Sequence, residues 1–269
     1  MRSVWIILKE QVNNFYLIRR LSLYELKSAN RNNYLGILWE IINPMIQIGI
    51  YWFVFGFGIY RARHHNFYGT IPYHHWLFAG FVAWYFINQA ILQGSRSVYS
   101  RIRTIAKMNF PMSVIPTYII FSKFYQHLMF LVVIYAILLL SGESLSVYIV
   151  QLPYFMICVL FLTISLSLIT STLSTIVRDV HMIVQSIVRM LVYLTPVLWT
   201  TKEGIALTIM KINPLTYVVE GYRAALLGTS WYGVMHWHYT LYFWAVTLFM
   251  FIVGSVLHLR FRDHFVDYL

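Results

Sequence analysis

The chain has 269 residues, of which 59% are hydrophobic and 11% charged, with a formal net charge of +11 at pH 7 and a mean hydropathy of +0.65. Soluble domains carry roughly 25% Asp, Glu, Lys and Arg, so this composition excludes a water-exposed globular domain. It points to an all-α integral membrane protein, residues 1–269 forming one domain with no room for a second of ordinary size.

Residues 1–40 precede the first apolar stretch, which therefore does not read as a cleaved signal peptide. In them, Trp5, Ile6, Leu8, Val12, Phe15, Tyr16 and Ile18 interleave with Lys9, Glu10, Gln11, Arg19 and Arg20. This pattern predicts a basic amphipathic helix lying in the inner headgroup layer. It either seats the first span or also grips a cytoplasmic partner.

A helix rising 1.5 Å per residue needs about 20 apolar residues to cross a core of roughly 30 Å. Six stretches qualify by eye: 41–60, 73–93, 114–140, 147–173, 183–200 and 239–259. After the second, Val98, Ile102 and Ile105 recur at helical spacing while Arg101 and Lys107 point elsewhere, and Pro111 closes the segment. A short docking helix fits this pattern better than a plain basic loop. The next turn on that side holds Arg178 and Asp179, with Asp179 a candidate N-cap.

Residues 201–238 are too long for a plain connector. Two apolar runs, 204–210 and 215–227, flank Asn213-Pro214, an N-cap followed by proline at the first helical position. Each run is too short to span, which predicts a re-entrant outer hairpin between helices five and six. Glu220 and Arg223, three apart, can pair on one face.

Orientation follows from the basic residues. Arg2, Lys9, Arg19, Arg20, Lys27 and Arg31 precede the first span; Arg96, Arg101, Arg103, Lys107, Arg178, Arg260 and Arg262 fall on the same side. The opposite side holds only Arg61, Arg63, Lys202, Lys211 and Arg223. The excess places both termini in the cytoplasm. The positive charge then serves insertion and attraction to anionic headgroups rather than nucleic-acid binding.

The chemistry is sparse. No GxxxxGK[ST] loop occurs, so nucleotide is not bound by a P-loop here. HExxH, GxSxG and CxxC are absent, and the single cysteine, Cys158, falls inside the fourth span. No carboxylate sits at the centre of a span, which argues against an ion-coupled carrier and against a membrane-embedded glycolipid enzyme. His64, His65, His74, His75, His236 and His238 read as polar rim residues, and no metal site is expected. Lys123 and Arg189 either snorkel to the inner headgroups or face a polar pathway. Tyr51, Trp52 and Phe55 lie deeper than an interfacial belt explains.

Several short motifs, in order, carry a resemblance: Tyr34-Leu35-Gly36-Ile37-Leu38-Trp39 leading to Asn43-Pro44, Gln47 to Gly56, Asn109-Phe110-Pro111, Arg178-Asp179, Thr195-Pro196-Val197, and Asn213-Pro214-Leu215 followed by Arg223. The chain resembles the membrane subunits of ABC-2 type exporters of cell-surface polysaccharides, and within that family most the permeases that move wall teichoic acid. The likeness covers nearly the whole chain. It implies a bacterial cytoplasmic-membrane homodimer joined to two copies of a separate ABC ATPase that binds ATP and magnesium. The cargo would be an undecaprenyl-diphosphate-linked polymer: teichoic acid or, alternatively, O-antigen or capsule. The resemblance makes Arg101, Ile102, Ile105, Lys107, Arg178 and Asp179 candidates for ATPase coupling. Tyr51, Phe55, Tyr193, Trp199, Lys123 and Arg189 become candidates for the substrate pathway, and Asn213, Pro214, Glu220 and Arg223 for an outer gate. The N-terminal amphipathic helix becomes the interface helix.

Overall fold

A computed structural model describes residues 2–29, 31, 33–60, 71–102, 111–144, 146–199, 204–263 and 265, with only the backbone of 57–60 and of Ala206. Its elements are helices throughout. α1 (Arg2–Asn13) and α2 (Phe15–Ala29) are followed by a 3₁₀ turn (Gly36–Leu38) and α3 (Trp39–Tyr51), which runs on as a π-helical segment (Trp52–Tyr60). α4 (Tyr73–Ser95) and α5 (Val114–Leu140) come next, then a 3₁₀ turn (Val147–Gln151) leading into α6 (Leu152–Ile176). α7 (Asp179–Leu194), α8 (Ile205–Ile212), α9 (Pro214–Leu226), α10 (Tyr232–Met235) and α11 (Trp237–Phe261) complete the chain.

Among the described residues, four segments are long and apolar enough to cross a membrane: Gly36–Gly56, Val114–Leu140, Val147–Ile176 and Trp237–Phe261. The sequence reading counts two more, which become α4 and α7. Each falls outside the four for a physical reason. α4 has 23 residues but packs against α5, α6, α7 and α9, so a helix shielded by others needs less apolar surface of its own. α7 has 16 residues, about 24 Å of rise, and ends where Thr195 turns extended. It begins at 179 and stops at 194, earlier than the 183–200 read from the sequence.

The core is a single large cluster centred on α4, with Trp76, Leu77, Phe81, Trp84, Phe86 and Ile87 all buried. Between apolar helices no hydrophobic force acts across lipid, so close packing and hydrogen bonds hold the bundle. Small residues permit the approach: a side chain at Gly94 would strike Ser167, and one at Gly221 would strike Phe155. On α6 the hydroxyls of Thr163, Ser165, Thr170, Thr172 and Thr175 donate to carbonyls one turn back at 2.7–2.9 Å. That satisfies them inside the helix without help from water.

The predicted N-terminal amphipathic helix is two helices meeting at Asn14, whose side chain donates to the Glu10 carbonyl at 2.8 Å. Their inner side buries Ile7, Ile18 and Leu26, while Trp5, Tyr16 and Tyr24 stay exposed. Ile18 joins Val98, Ile102, Val114, Ile115 and Phe265 in a second apolar cluster. Around it runs a frame of polar contacts. Glu10 accepts from the Ser113 hydroxyl and from Arg262 (2.7 Å), Gln11 donates to the Ser113 carbonyl at 2.9 Å, and Arg101 pairs with Glu25.

Candidate functional site

The hairpin of α8 and α9 gathers the residues predicted for an outer gate. Asn213 stands between the helices with extended backbone; its Oδ1 accepts from Leu215 N at 3.0 Å and its Nδ2 donates to Thr195 Oγ1 at 2.9 Å. Pro214 opens α9, where its missing N–H costs nothing. Thr216 donates back to the Met210 carbonyl at 2.6 Å, and the Tyr239 and Tyr242 hydroxyls of α11 donate to the carbonyls of Asn213 (3.0 Å) and Ile212 (2.6 Å). The corner is thus tied to the end of α7 and to α11. α9 stops where Gly228 takes φ 64°, a conformation that favours glycine, with Thr229 N donating to the Ala224 carbonyl.

Arg223 fixes the far end. It is 3% exposed. Its guanidinium reaches Glu220 at 2.6 Å, the Trp76 carbonyl of α4 at 3.2 Å and the Val197 carbonyl beyond α7 at 3.2 Å. It also lies over the Trp76 ring, 3.4 Å from the centroid. The planar fork suits a group that must serve several acceptors at once. A Cβ at Gly80 would collide with this guanidinium, so the glycine makes the seat. The Glu220–Arg223 pair read from the i, i+3 spacing is present. Trp76 and Gly80 of α4 and Tyr239 of α11 complete the site without any local signal, and Thr195 and Val197, noted only as part of a short motif, join them from the segment after α7. Behind the hairpin, Tyr217 shares hydrogen bonds with Tyr154 (3.1 Å) and Thr240 (2.9 Å), and Tyr222 with His127 (2.9 Å). In front lies a cavity of about 330 Å³ whose wall includes Trp76, Lys211, Glu220, Arg223, His236 and Tyr239.

The pathway candidates meet as two pairs and two separate cations. Tyr51 and Phe55 lie with ring centroids 6.5 Å apart, and Tyr51 packs on Phe81 of α4 at 5.8 Å. Their side of the span faces the bundle, whereas Ile46, Ile50 and Phe53 face outward. Trp199 donates its indole N–H to the Tyr193 carbonyl at 3.0 Å, while the Tyr193 ring is exposed. Arg189 is exposed on α7 and Lys123 half-buried on α5. α7 turns Val184, Val188 and Val192 inward and leaves Met182, Ile183, Ile187 and Met190 bare.

Of the coupling candidates, Ile102 is buried beside Val98, and Arg101 is drawn into its pair with Glu25 and lies 5.9 Å from the Tyr118 ring centroid. Ile105 and Lys107 lie outside the described residues. Arg178 and Asp179 are exposed at the start of α7. The capping residue there is Arg178; Asp179 is the first helical residue, where its charge meets the positive end of the helix dipole. Among the histidines, His75 Nδ1 lies 2.6 Å from the Glu143 carboxylate; His64 and His65 lie outside the described residues.

Residues 16–227 match the model of the ABC-2 type transporter family. An O-antigen export system permease protein of Myxococcus xanthus is 24% identical over 204 residues, 74% of this chain and 76% of that protein. One from Klebsiella pneumoniae is 26% identical over 250 residues, 91% of this chain and 92% of that protein, and a second from the same organism is 24% identical over 249 residues. The matched region runs from α2 through α9, so it takes in both the hairpin and its anchors on α4 and after α7, and the chain belongs to the ABC-2 type transporter family.

Proposed function

We propose that this chain is the permease subunit of an ATP-driven exporter of lipid-linked polysaccharide. Two copies would join two copies of a separate ATPase that binds ATP and magnesium. The observation that carries the reading is the family match together with relatives, named as O-antigen export permeases, that align over about nine-tenths of both chains. Six membrane crossings, with both termini in the cytoplasm and the α8–α9 hairpin re-entering from outside, organise the parts. The bare apolar faces of α3 and α7 suit contact between two copies around a channel. Tyr51, Phe55, Tyr193, Trp199, Lys123 and Arg189 then border the route, aromatic rings meeting the apolar faces of sugars and cations meeting anionic groups. Asn213, Pro214, Glu220 and Arg223 hold the exit. Arg101, Ile102, Ile105, Lys107, Arg178 and Asp179 meet the ATPase, and its closure on ATP moves them and parts the spans.

For the polymer we favour wall teichoic acid, on the stretch Gln47 to Gly56. O-antigen is the second reading, favoured by the relatives' names. The test is purification of the chain with its bound proteins in mild detergent. An equimolar P-loop ATPase, stimulated by lipid-linked teichoic acid and not by a neutral lipid-linked glycan, is expected. Stimulation by the neutral glycan alone selects the O-antigen reading, and a chain that purifies alone overturns the exporter. Replacing Tyr51 and Phe55 together by alanine is expected to cut export at unchanged assembly; normal export would return these rings to ordinary packing.

A further inference from the structure

A groove of about 450 Å³ separates the N-terminal helices from the bundle. Leu8, Val12 and Phe15 form one wall; Phe121 of α5, Phe161 of α6 and Phe251 of α11 form the other. It opens outward, with Val12 73% and Phe15 56% exposed. Two polar residues line it, Gln11 and Thr117. Gln11 Oε1 and Thr117 Oγ1 are both shut from solvent and have no hydrogen-bond partner, and Thr117 is 4% exposed. An unpaired buried polar group costs about 1–3 kcal/mol, so a partner for the hydroxyl is favoured. No cation lines the groove itself; Lys9, next to Leu8, and Arg19, one helical turn beyond Phe15, are exposed on the same two helices. The nearby Glu10 is already engaged by Ser113 and Arg262.

We propose that this groove holds one acyl chain of an anionic bilayer phospholipid. Its ester carbonyl would accept from the Thr117 hydroxyl, and its phosphate would sit against Lys9 and Arg19. An apolar concavity is a poor site for water, which needs two to four polar partners. A single hydrocarbon chain is narrow enough, and one end of it carries the ester and phosphate that the hydroxyl and cations call for. Basic amphipathic helices draw anionic lipid in the same way on a larger scale. The lipid would wedge α1 and α2 against the bundle, completing a wall that side chains leave open. This holds whatever polymer is exported.

Native mass spectrometry of the full chain in mild detergent tests it, with phosphatidylglycerol and phosphatidylcholine of identical acyl chains as probes. One adduct per chain is expected, retained severalfold better for phosphatidylglycerol. Ile164→Trp, which fills the groove, should abolish it, whereas Val132→Trp on the exposed face of α5 should leave it intact. Thr117→Val, close in shape, should weaken retention without altering the fold and serves if Ile164→Trp does not fold. Arg19→Glu should erase the headgroup preference, since a basic residue near an anionic surface is worth roughly fivefold. The proposal is overturned if no adduct survives, if Ile164→Trp or Thr117→Val retains it as the parent does, or if both headgroups bind alike. An adduct with the mass of a polyprenyl phosphate, or a second copy of the chain in its place, overturns it equally.

Discussion

The α8–α9 corner and the N-terminal helices both depend on arginine–carboxylate pairs, but they keep them in different surroundings. At the hairpin, the Arg223 side chain is 4% exposed and is held by a carboxylate, two backbone carbonyls and an aromatic ring. At the N-terminal helices, the side chains of Arg101 and Glu25 are 26% and 30% exposed, and those of Arg262 and Glu10 31% and 22%. Breaking the first strands a charge away from water, which is expensive. Breaking the second returns both groups to solvent, and the net change is small. One region is therefore a fixture, and the other can lose its internal pairs at little cost.

The largest effect should come from the fixture. Arg223→Leu leaves Glu220, 27% exposed, without its cation and removes the donors of the Trp76 and Val197 carbonyls, at a cost of about 1–3 kcal/mol for each buried acceptor left unpaired. Loss of folded chain, or a large fall in thermal midpoint in detergent, is expected. Arg223→Lys keeps the charge but lacks the fork and should fall between. If Arg223→Leu melts like the parent, the hairpin is not pinned there. Gly80→Ala tests the same seat from α4. Its Cβ forces the guanidinium aside, and overpacking of this kind costs about 1–3 kcal/mol. A neutral result would mean that Arg223 has another comfortable position.

At the other end of α9, Asn213→Ala removes the helix cap, worth about 1 kcal/mol, and the donor to Thr195. Asn213→Asp preserves the acceptor for Leu215 N and loses only that donor. Thermal unfolding of the two variants separates them: the alanine form should be clearly less stable than the aspartate form. Equal losses would mean that the link to Thr195, not the cap, holds the corner.

Where local chemistry decides the structure, the sequence is a good guide. Asn213-Pro214 starts a helix by a cap and a missing N–H, Gly228 ends it by a left-handed turn, and Glu220 meets Arg223 by helical spacing alone. The bilayer setting follows from composition in the same direct way. What stays hidden is what the tertiary fold supplies. Gly80 makes room for a residue 143 positions later, and Trp76, Val197 and Tyr239 reach the site from three separate elements. The span count is obscured for a related reason: α4, enclosed by other helices, carries polar residues that a lipid-facing helix of its length would not. Tyr51, a candidate because it sits deep, turns toward Phe81 and carries Phe55 beside it, because the packing of α3 on α4 decides which side of the span points inward.

The smallest stability effect belongs to Glu25 and Arg101, and it also tests the proposed coupling to the ATPase. Glu25→Gln, Arg101→Gln and the double variant form a cycle whose coupling energy should be about 0.2–1 kcal/mol, as for other partly exposed pairs. The same four proteins, titrated with the ATPase subunit, should differ more in association than in melting. Arg101 adjoins Ile102, which is anchored in the apolar cluster, so the pair ties the segment after α4, the proposed docking segment, to α2. If ATPase binding requires Arg101 to leave Glu25, Glu25→Gln should tighten association while Arg101→Gln weakens it. If both weaken it equally, the pair acts intact, and α2 and the docking segment move as one body when the ATPase closes. A swap, Glu25→Arg with Arg101→Glu, then distinguishes the surviving case: restored association means that the tie itself matters, and continued loss means that the ATPase reads the charge at residue 101.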